Sequence, residues 1–442
     1  MRSEVGEAAN KSWTDDLPKC PFTAVGVSPN CSYRANVKGI SHTSWDRHFY
    51  CRVDEHSCLY AVFSGHNGHS IAELAMQRIA AEILLGQLNG KNSEEDLKDV
   101  LRQSFVSAEK CYQESIDAVL AKKAILQSQL IQKGNSREMI ERSLKSIYNE
   151  LSVGCSVALS LIYNSKLYVS NVGTCRVLLC KSDENNAPRF VQFSVDHNFG
   201  NEDEILRLRQ LGLEGQHINK FPMYSTRCLG YYVGKTGYKE CDIFAQATNE
   251  PIIAAPEIVG GVPIDNSFRF LLLISSGLCK ILRDIYSGDS LKENKEIVRI
   301  TAKEFEFHDN LGDIAQSVVN KFVNLHQEMF QHSKNLGYER EDLTLVLRNF
   351  NIGVSTQQMR RQNQVTFNSY VEHVPPTEDN LYGTSSQYTD TTTTMSSSID
   401  QKSKDIFDKN RKISSYVDFR PFYENVQRAR MEGTLPVEID FE

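Results

Sequence analysis

The sequence predicts an α+β fold, a sandwich of two antiparallel sheets flanked by helices. Three observations lead there. Apolar residues recur at helical spacing in two successive stretches, Ile71, Leu74, Ala75, Ile79, Ile83 and then Leu97, Leu101, Phe105, Ala108, Tyr112. Alternating apolar and polar segments follow between Ser156 and Ser194, separated by turn formers such as Asn164-Ser165 and Asp183-Glu184-Asn185-Asn186. A helical and a strand pattern then return at Ile314 to Phe330 and Leu343 to Leu347. Helices, a block of strands, then helix and strand again is the order of an α+β sandwich.

Residues 1–12 are polar and expected to be flexible. Trp13-Thr14-Asp15-Asp16-Leu17-Pro18 joins an aromatic to turn formers and is expected to pin the N-terminus to the domain. Ala24 to Arg52 alternates weakly, as short strands do. Leu59 to Phe63 is a compact β-branched and aromatic run, and Ser64-Gly65-His66-Asn67-Gly68 is a tight turn whose glycines let backbone approach a ligand. The helix from Ile71 ends near Gly86. The next runs from about Glu94 to Val119; its heptad-like rhythm also fits a coiled coil, but a short stripe between strand patterns favours packing on a sheet. A third helix spans Arg137 to Leu151 after the Gly134-Asn135 break. Ser156 to Tyr163, Lys166 to Val172, Arg176 to Lys181 and Arg189 to Ser194 read as strands in antiparallel hairpins. A helix starts at Asn201, presents Ile205, Leu208 and Leu211, and stops at Gly212. Phe268 to Ile274 is continuous enough for a central buried strand.

The chain has 442 residues and 40% hydrophobic content, enough for one core of about 250–350 residues plus extensions. A net charge of -7 gives no sign of nucleic-acid binding. The apolar run around Phe270 to Ile274 is far too short to span a bilayer. Eleven scattered cysteines without a CxxC pair read as reduced thiols, and MRSEVGEAANKSW holds no apolar leader, so the expectation is a cytoplasmic protein.

Several short motifs fall in a fixed order: Ser64-Gly65-His66-Asn67-Gly68, Gly154-Cys155-Ser156-Val157-Ala158, Val172-Gly173-Thr174-Cys175-Arg176, Ser194-Val195-Asp196-His197, Ser225-Thr226-Arg227-Cys228-Leu229-Gly230-Tyr231, Leu273-Ile274-Ser275-Ser276-Gly277-Leu278 and Arg340-Glu341-Asp342-Leu343-Thr344. In this order they resemble the signatures of the type 2C metal-dependent Ser/Thr protein phosphatases, over roughly Trp13 to Phe350. The resemblance implies a dinuclear metal site held by carboxylates, and places acids where this chain has Ser64, Thr174, Tyr231 and Ser276. Of the last motif, Glu341 or Asp342 stays acidic. The acidic pair expected before the first signature is missing: Trp45-Asp46-Arg47 is the nearest mixture and does not fit the pattern. Arg176 and Asp196 persist, and are expected to stitch loops rather than to catalyse. His66 stands where the family has a general acid, but is expected to be a loop residue without its partner.

Two dications about 3.5–4 Å apart clamp the phosphoryl group in such enzymes. Their mutual repulsion at an effective dielectric near 20 is on the order of 16 kcal/mol. Hard, anionic oxygens must offset it, and neutral hydroxyls are poor replacements. No metal or other cofactor is therefore expected, and a pseudophosphatase is. The opposing expectation is a divergent phosphatase using Glu341, Asp342 and His66 with one metal.

The stretches SWTDDLP, LLGQLN, KLYVSNVGT, NEDE and EDLTLVLRNF, with YVDFRPFY at Tyr416 to Tyr423, resemble a pseudophosphatase branch of the family that binds and activates the TGF-β-activated MAP kinase kinase kinase. That resemblance implies this kinase as partner, and also a stress-activated MAP kinase and inhibitor-of-apoptosis proteins. Residues 13–353 are expected to form the phosphatase-like domain. Residues 354–412, with Gln357 to Gln364 and YTDTTTTMSSS, bury too little apolar surface to offset ordering entropy and are expected to be a disordered linker. Residues 413–442 are then the kinase-binding segment. Tyr416, Phe419, Phe422, Tyr423 and Val426 share one helical face suited to a groove, and the resemblance assigns kinase binding to Tyr416, Val417, Phe419, Phe422 and Tyr423. Pro421 is tolerated if Asp418 is the N-cap, since the first turn loses no intrahelical N–H. The opposing possibility is that the segment folds back on its own domain.

Overall fold

The computed structural model describes residues 12–350, apart from 35–36, 40–41, 92, 132–136, 186, 216–219, 222, 224 and 332–338. The expected linker at 354–412 and the kinase-binding residues Tyr416, Val417, Phe419, Phe422 and Tyr423 lie outside the described residues.

A 3-10 turn, Trp13–Asp16, opens the described chain, capped by Ser12 and Asp15 in reciprocal hydrogen bonds. Trp13 and Leu17 pack on the main helix–sheet core, as expected of an anchor. Strands β1 (Thr23–Ser28), β2 (Cys31–Arg34), β3 (Val37–Gly39), β4 (Arg47–Arg52) and β5 (Cys58–His66) follow, then helices α1 (Ser70–Glu82), α2 (Glu94–Ser115), α3 (Asp117–Ile131) and α4 (Arg137–Leu151). The β block comprises β6 (Gly154–Tyr163), β7 (Lys166–Val172), β8 (Arg176–Ser182) and β9 (Pro188–Gln192). After α5 (Glu202–Gln210) come the short β10 (Leu229–Gly230), β11 (Glu257–Pro263) and β12 (Phe268–Ile274). Helices α6 (Ser276–Tyr286), α7 (Ser290–Phe307) and α8 (Leu311–Gln331) and strands β13 (Glu339–Arg340) and β14 (Leu343–Asn349) complete the fold.

Two antiparallel sheets dominate, ordered β1-β14-β12-β8-β9 and β11-β7-β6-β5-β4, with β10 joined to β6. Side-chain alternation explains the layers. On β12, Leu271 and Leu273 enter the core between the sheets with Tyr60, Val62, Val177, Leu179 and Val346. Its alternate residues Phe270, Leu272 and Ile274 face α6, α7 and α8 through Leu278, Leu282, Ile297, Val318 and Phe322. The second sheet does the same, sending Leu59, Ala61 and Phe63 outward to Ala75, Ile79, Leu101 and Phe105 of α1 and α2. The result is a helix–sheet–sheet–helix sandwich, and β12 is central as expected.

The structure departs from the sequence expectations in two places. The second helix does not run to Val119: it ends at Ser115, with Ile116 as C-cap, and α3 continues to Ile131. The middle strands pair as antiparallel hairpins, β6–β7 and β8–β9, as expected. The turn from Val172 to Arg176 carries the chain from one sheet to the other. Neither β11 nor the pair α6 and α7 was expected. α2 packs on α1 and the sheet, the packing that the sequence favoured over a coiled coil.

Candidate functional site

The two sheets end together at one rim, and a cleft of about 360 Å³ opens there. Its lining includes Asp46, Ser64, His66, Thr174, Ser276 and Asp342. β5 supplies Ser64 to His66 from its last residues, ahead of the turn at Asn67 (φ 61°) and Gly68. Gly65 is required there by contact rather than by φ: a Cβ would lie 2.4 Å from the Gly68 carbonyl oxygen and 2.7 Å from that of Trp45. The sheet-crossing turn presents Thr174, and Gly173 allows it with φ 90° at a point where a Cβ would meet Ser156 Oγ at 2.1 Å. Ser276 begins α6, and Glu341 and Asp342 lead into β14.

The hydroxyls that stand at the expected acidic positions bond among themselves and to the remaining acids. Thr174 Oγ1 donates to Ser276 Oγ at 2.9 Å, and Ser64 Oγ donates to Asp46 Oδ1 at 2.8 Å. Thr344 Oγ1 donates to the other Asp46 oxygen at 2.9 Å. Burial is the largest influence on Asp46 and pushes its carboxyl up to about 7; the Asp342 charge adds to this and the hydroxyl donors oppose it. Asp342 is buried and already accepts from Asn30 N at 2.9 Å, Asn30 Nδ2 at 3.0 Å and Trp45 N at 2.8 Å. Glu341 pairs with Lys280 at 2.6 Å.

Two corrections concern residues read from sequence. Trp45-Asp46-Arg47 does belong to the site: the β4–β5 register pairs Arg47 with Phe63, which sets Asp46 beside Ser64. That hairpin register was the missed signal. His66 is neither in a loop nor without a partner, because it closes β5 with Nε2 2.8 Å from Ser156 Oγ. Ser156 Oγ in turn accepts the Thr174 N–H at 3.3 Å. Burial lowers the His66 pKa, with Glu341 opposing, so the ring is held neutral.

Tyr231 is placed elsewhere. It takes a left-handed conformation (φ 63°) and buries its ring in the core beneath α1 and α2, outside the lining of the cleft. Arg176 and Asp196 stitch the fold as expected. Arg176 Nε lies 3.0 Å from both Asp196 oxygens, and its Nη1 reaches Glu293 at 2.6 Å and Asn294 at 3.1 Å.

This donor set does not suit a pair of divalent cations. Of the acids lining the cleft, the buried Asp46 is pushed toward its protonated form, and the buried Asp342 already accepts three N–H donors. Glu341 is paired with Lys280, with Asp284 farther along α6. The positions between them carry neutral hydroxyls, with Thr174 bonded to Ser276 and Ser64 to Asp46. Two close dications need several anionic oxygens free to ligate them.

A sandwich of this topology, with its cleft at the joint rim of two sheets, is the architecture of metal-dependent protein phosphatases. The Protein phosphatase 2C family model matches residues 31–324, more than half of the chain, and the chain belongs to that family. It is similar to "TGF-beta-activated kinase 1 and MAP3K7-binding protein 1" of Caenorhabditis elegans, 23% identical and covering 75% of this chain and 82% of that protein. It is also similar to "Probable protein phosphatase 2C 4" of Paramecium tetraurelia, 24% identical over 56% of this chain and 72% of the relative. Among solved structures, a C. elegans sex-determining protein aligns at 16% identity and TM-score 0.46, covering 76% of this chain and 67% of that one. A Toxoplasma gondii serine-threonine phosphatase 2C aligns at 14% identity and TM-score 0.45, covering 75% and 96%. Among the described residues, no helix is long and apolar enough to cross a membrane.

Proposed function

We propose that this chain is a non-catalytic member of the protein phosphatase 2C family that serves as an adaptor, binding and activating a MAP kinase kinase kinase. The observation that carries the proposal is the chemistry of the cleft: Ser64, Thr174 and Ser276 stand where a two-metal phosphatase needs carboxylates, and their hydroxyls are committed to internal bonds. The partner class is supported by the C. elegans relative, whose name describes a kinase-binding protein. A stress-activated MAP kinase and inhibitor-of-apoptosis proteins rest on the sequence resemblance alone, and a cytoplasmic location on the scattered cysteines and the polar first residues.

The kinase contact is proposed for residues 413–442, with Tyr416, Val417, Phe419, Phe422 and Tyr423 as anchors. A buried aromatic removes about 150–250 Å² from water, roughly 4–6 kcal/mol gross at about 25 cal/mol per Å². Ordering the segment consumes several kcal/mol, leaving roughly micromolar binding or tighter for two or three anchors. A peptide spanning Ile413 to Arg430 is expected to bind the kinase domain, and Phe419→Ala to weaken it at least tenfold. Calorimetry of the two peptides checks this. Binding that survives Phe419→Ala but is lost when the phosphatase-like domain is deleted would move the docking surface to that domain.

A second reading, a divergent phosphatase using Glu341, Asp342 and His66 with one metal, is favoured by one observation: Asp46 and Asp342 both face the cleft that His66 lines.

A further inference from the structure

Strands β1 and β4 each form the edge of a sheet. Their Val25 and Tyr50 pack into the space between the sheets, so the two edges lie on the same side of the sandwich. A groove of about 610 Å³ opens between them, and its lining shares no residue with the cleft. Thr23 and Val25 line one flank and His48 and Tyr50 the other, while Asp309 to Gly312 lead from its wall into α8.

The register of β1 on β14 tells which backbone groups face outward. The Asn349 N–H donates to the Phe22 carbonyl at 2.9 Å, so Phe22 bonds inward, and Ala24 and Gly26 follow by alternation. Thr23, Val25 and Val27 therefore turn their N–H and C=O groups to the open edge. Val27 is closed by α8: its N–H donates to Gln316 Oε1 at 3.1 Å, and its carbonyl accepts from Gln316 Nε2 at 2.9 Å. One side-chain amide thus stands where a neighbouring strand would. The Thr23 N–H turns back to the Cys20 carbonyl at 3.3 Å. Among the described residues, no protein group pairs with the Thr23 carbonyl or with either backbone group of Val25. An unpaired edge is a template for another chain, and here half of it is left open over a groove.

Two side chains narrow what fits there. Thr23 is 8% exposed, yet its hydroxyl has no hydrogen-bond partner, which is rare for a buried polar group. Exposed Lys19 also lines the groove, with its ammonium 5.9 Å from the Tyr50 ring centre and no acidic partner among the described residues. We propose that the groove takes an extended segment of a partner protein as an added strand beside β1. An extended main chain, with an N–H and a C=O on one residue, meets both Val25 groups at once. The residue opposite Val25 points its side chain between Val25 and Tyr50, which calls for an apolar one. The residue two positions away lies opposite Thr23 on the same face, where a carboxylate accepts from the Thr23 hydroxyl and pairs with Lys19. β1 itself, TAVGVS, holds no acid, so a second copy pairing through β1 leaves both groups unanswered.

The test is residue-resolved hydrogen exchange of the full-length protein, alone and with short synthetic peptides. The peptides form a library carrying Val, Ile, Leu or Phe two positions from Asp or Glu. In the free protein the Val25 amide is expected to exchange fast while those of Ala24 and Gly26 are slow. The best-binding peptide is expected to slow Val25 by at least about tenfold, and to lose binding when its backbone is N-methylated. Lys19→Glu, at an exposed position, is expected to weaken that binding at least about threefold. The exchange of the wild-type protein needs no variant. A Val25 amide already protected in the free protein, by the chain's own C-terminal residues or by a second copy, overturns the proposal. So does a library without a binder, a bound peptide that leaves Val25 unprotected, or one whose binding Lys19→Glu leaves unchanged.

Discussion

Asp46 shows how a single buried acid reports on the cleft. Its carboxyl titrates at about 7 in the folded protein, against an ordinary 3.8. Between those values the folded state binds the extra proton, so Asp46 favours folding below about pH 4 and loses that contribution as pH rises to about 7. Buried His197, lowered to about 3 mainly by burial, works the other way over an overlapping range. The Asp46 effect is therefore isolated by comparing a variant with wild type at each pH. Asp46→Asn keeps an acceptor for Ser64 and removes the titration. Relative to wild type it is expected to gain at least about 1–2 kcal/mol in stability between pH 4.5 and pH 7.5, read from urea unfolding. A wild-type-minus-variant difference that does not change with pH would show that Asp46 is ionised throughout. In sequence, Ser64, Thr174 and Ser276 were legible as site positions because each lies in a signature turn. Asp46 was not, because its place depends on the pairing of β4 with β5, and Tyr231 misled because nothing local marks its ring as directed into the core.

Elements are joined by the ion network around Arg176, at the start of β8. It reaches Asp196 in the loop after β9 and Glu293 on α7, where Arg176 and Glu293 side chains are 3% and 1% exposed. Arg176→Ala leaves Glu293 buried without its counter-charge, and is expected to cost about 3–5 kcal/mol in urea unfolding. Arg176→Lys retains a charge but not the fork that serves three acceptors, and should fall between. A cost below about 1 kcal/mol for Arg176→Ala would show that water takes over the acids. The same network explains why α7 was hard to read. Glu293 and Glu304 occupy its buried face, paired with Arg176 and Lys321, so charges interrupt the apolar period that would announce a helix. β11 was masked differently. It is an edge strand with a bulge between Gly260 and Val262 and Pro263 at its end, residues that read as a loop when taken without the sheet.

At the scale of the whole molecule, we propose that the core is complete by Phe350. The three large clusters span both helix–sheet interfaces and the space between the sheets. Residues 357–364 and 388–398 are rich in Gln, Arg, Thr and Ser, a composition that does not support burial. A fragment of residues 1–350 is expected to melt within about 1 °C of the full chain by calorimetry; at about 2.1 cal/mol/K of unfolding entropy per residue, a ΔΔG of 1 kcal/mol moves a domain of about 340 residues by roughly 1.4 °C. A drop of several degrees would mean that the tail packs on the domain. The sandwich itself was legible because long alternating strands and periodic helices report their own burial, whereas the crossing at Gly173 between sheets is a matter of tertiary pairing that no local pattern records.

The most direct measurement of the central claim is phosphate release from a phosphoserine peptide by the purified full-length protein in millimolar Mn²⁺. A cleft with hydroxyls at three ligand positions and both buried acids already committed predicts no release above buffer, unchanged by Asp342→Asn or His66→Ala. Release above buffer that disappears in Asp342→Asn would contradict it and show a working metal site.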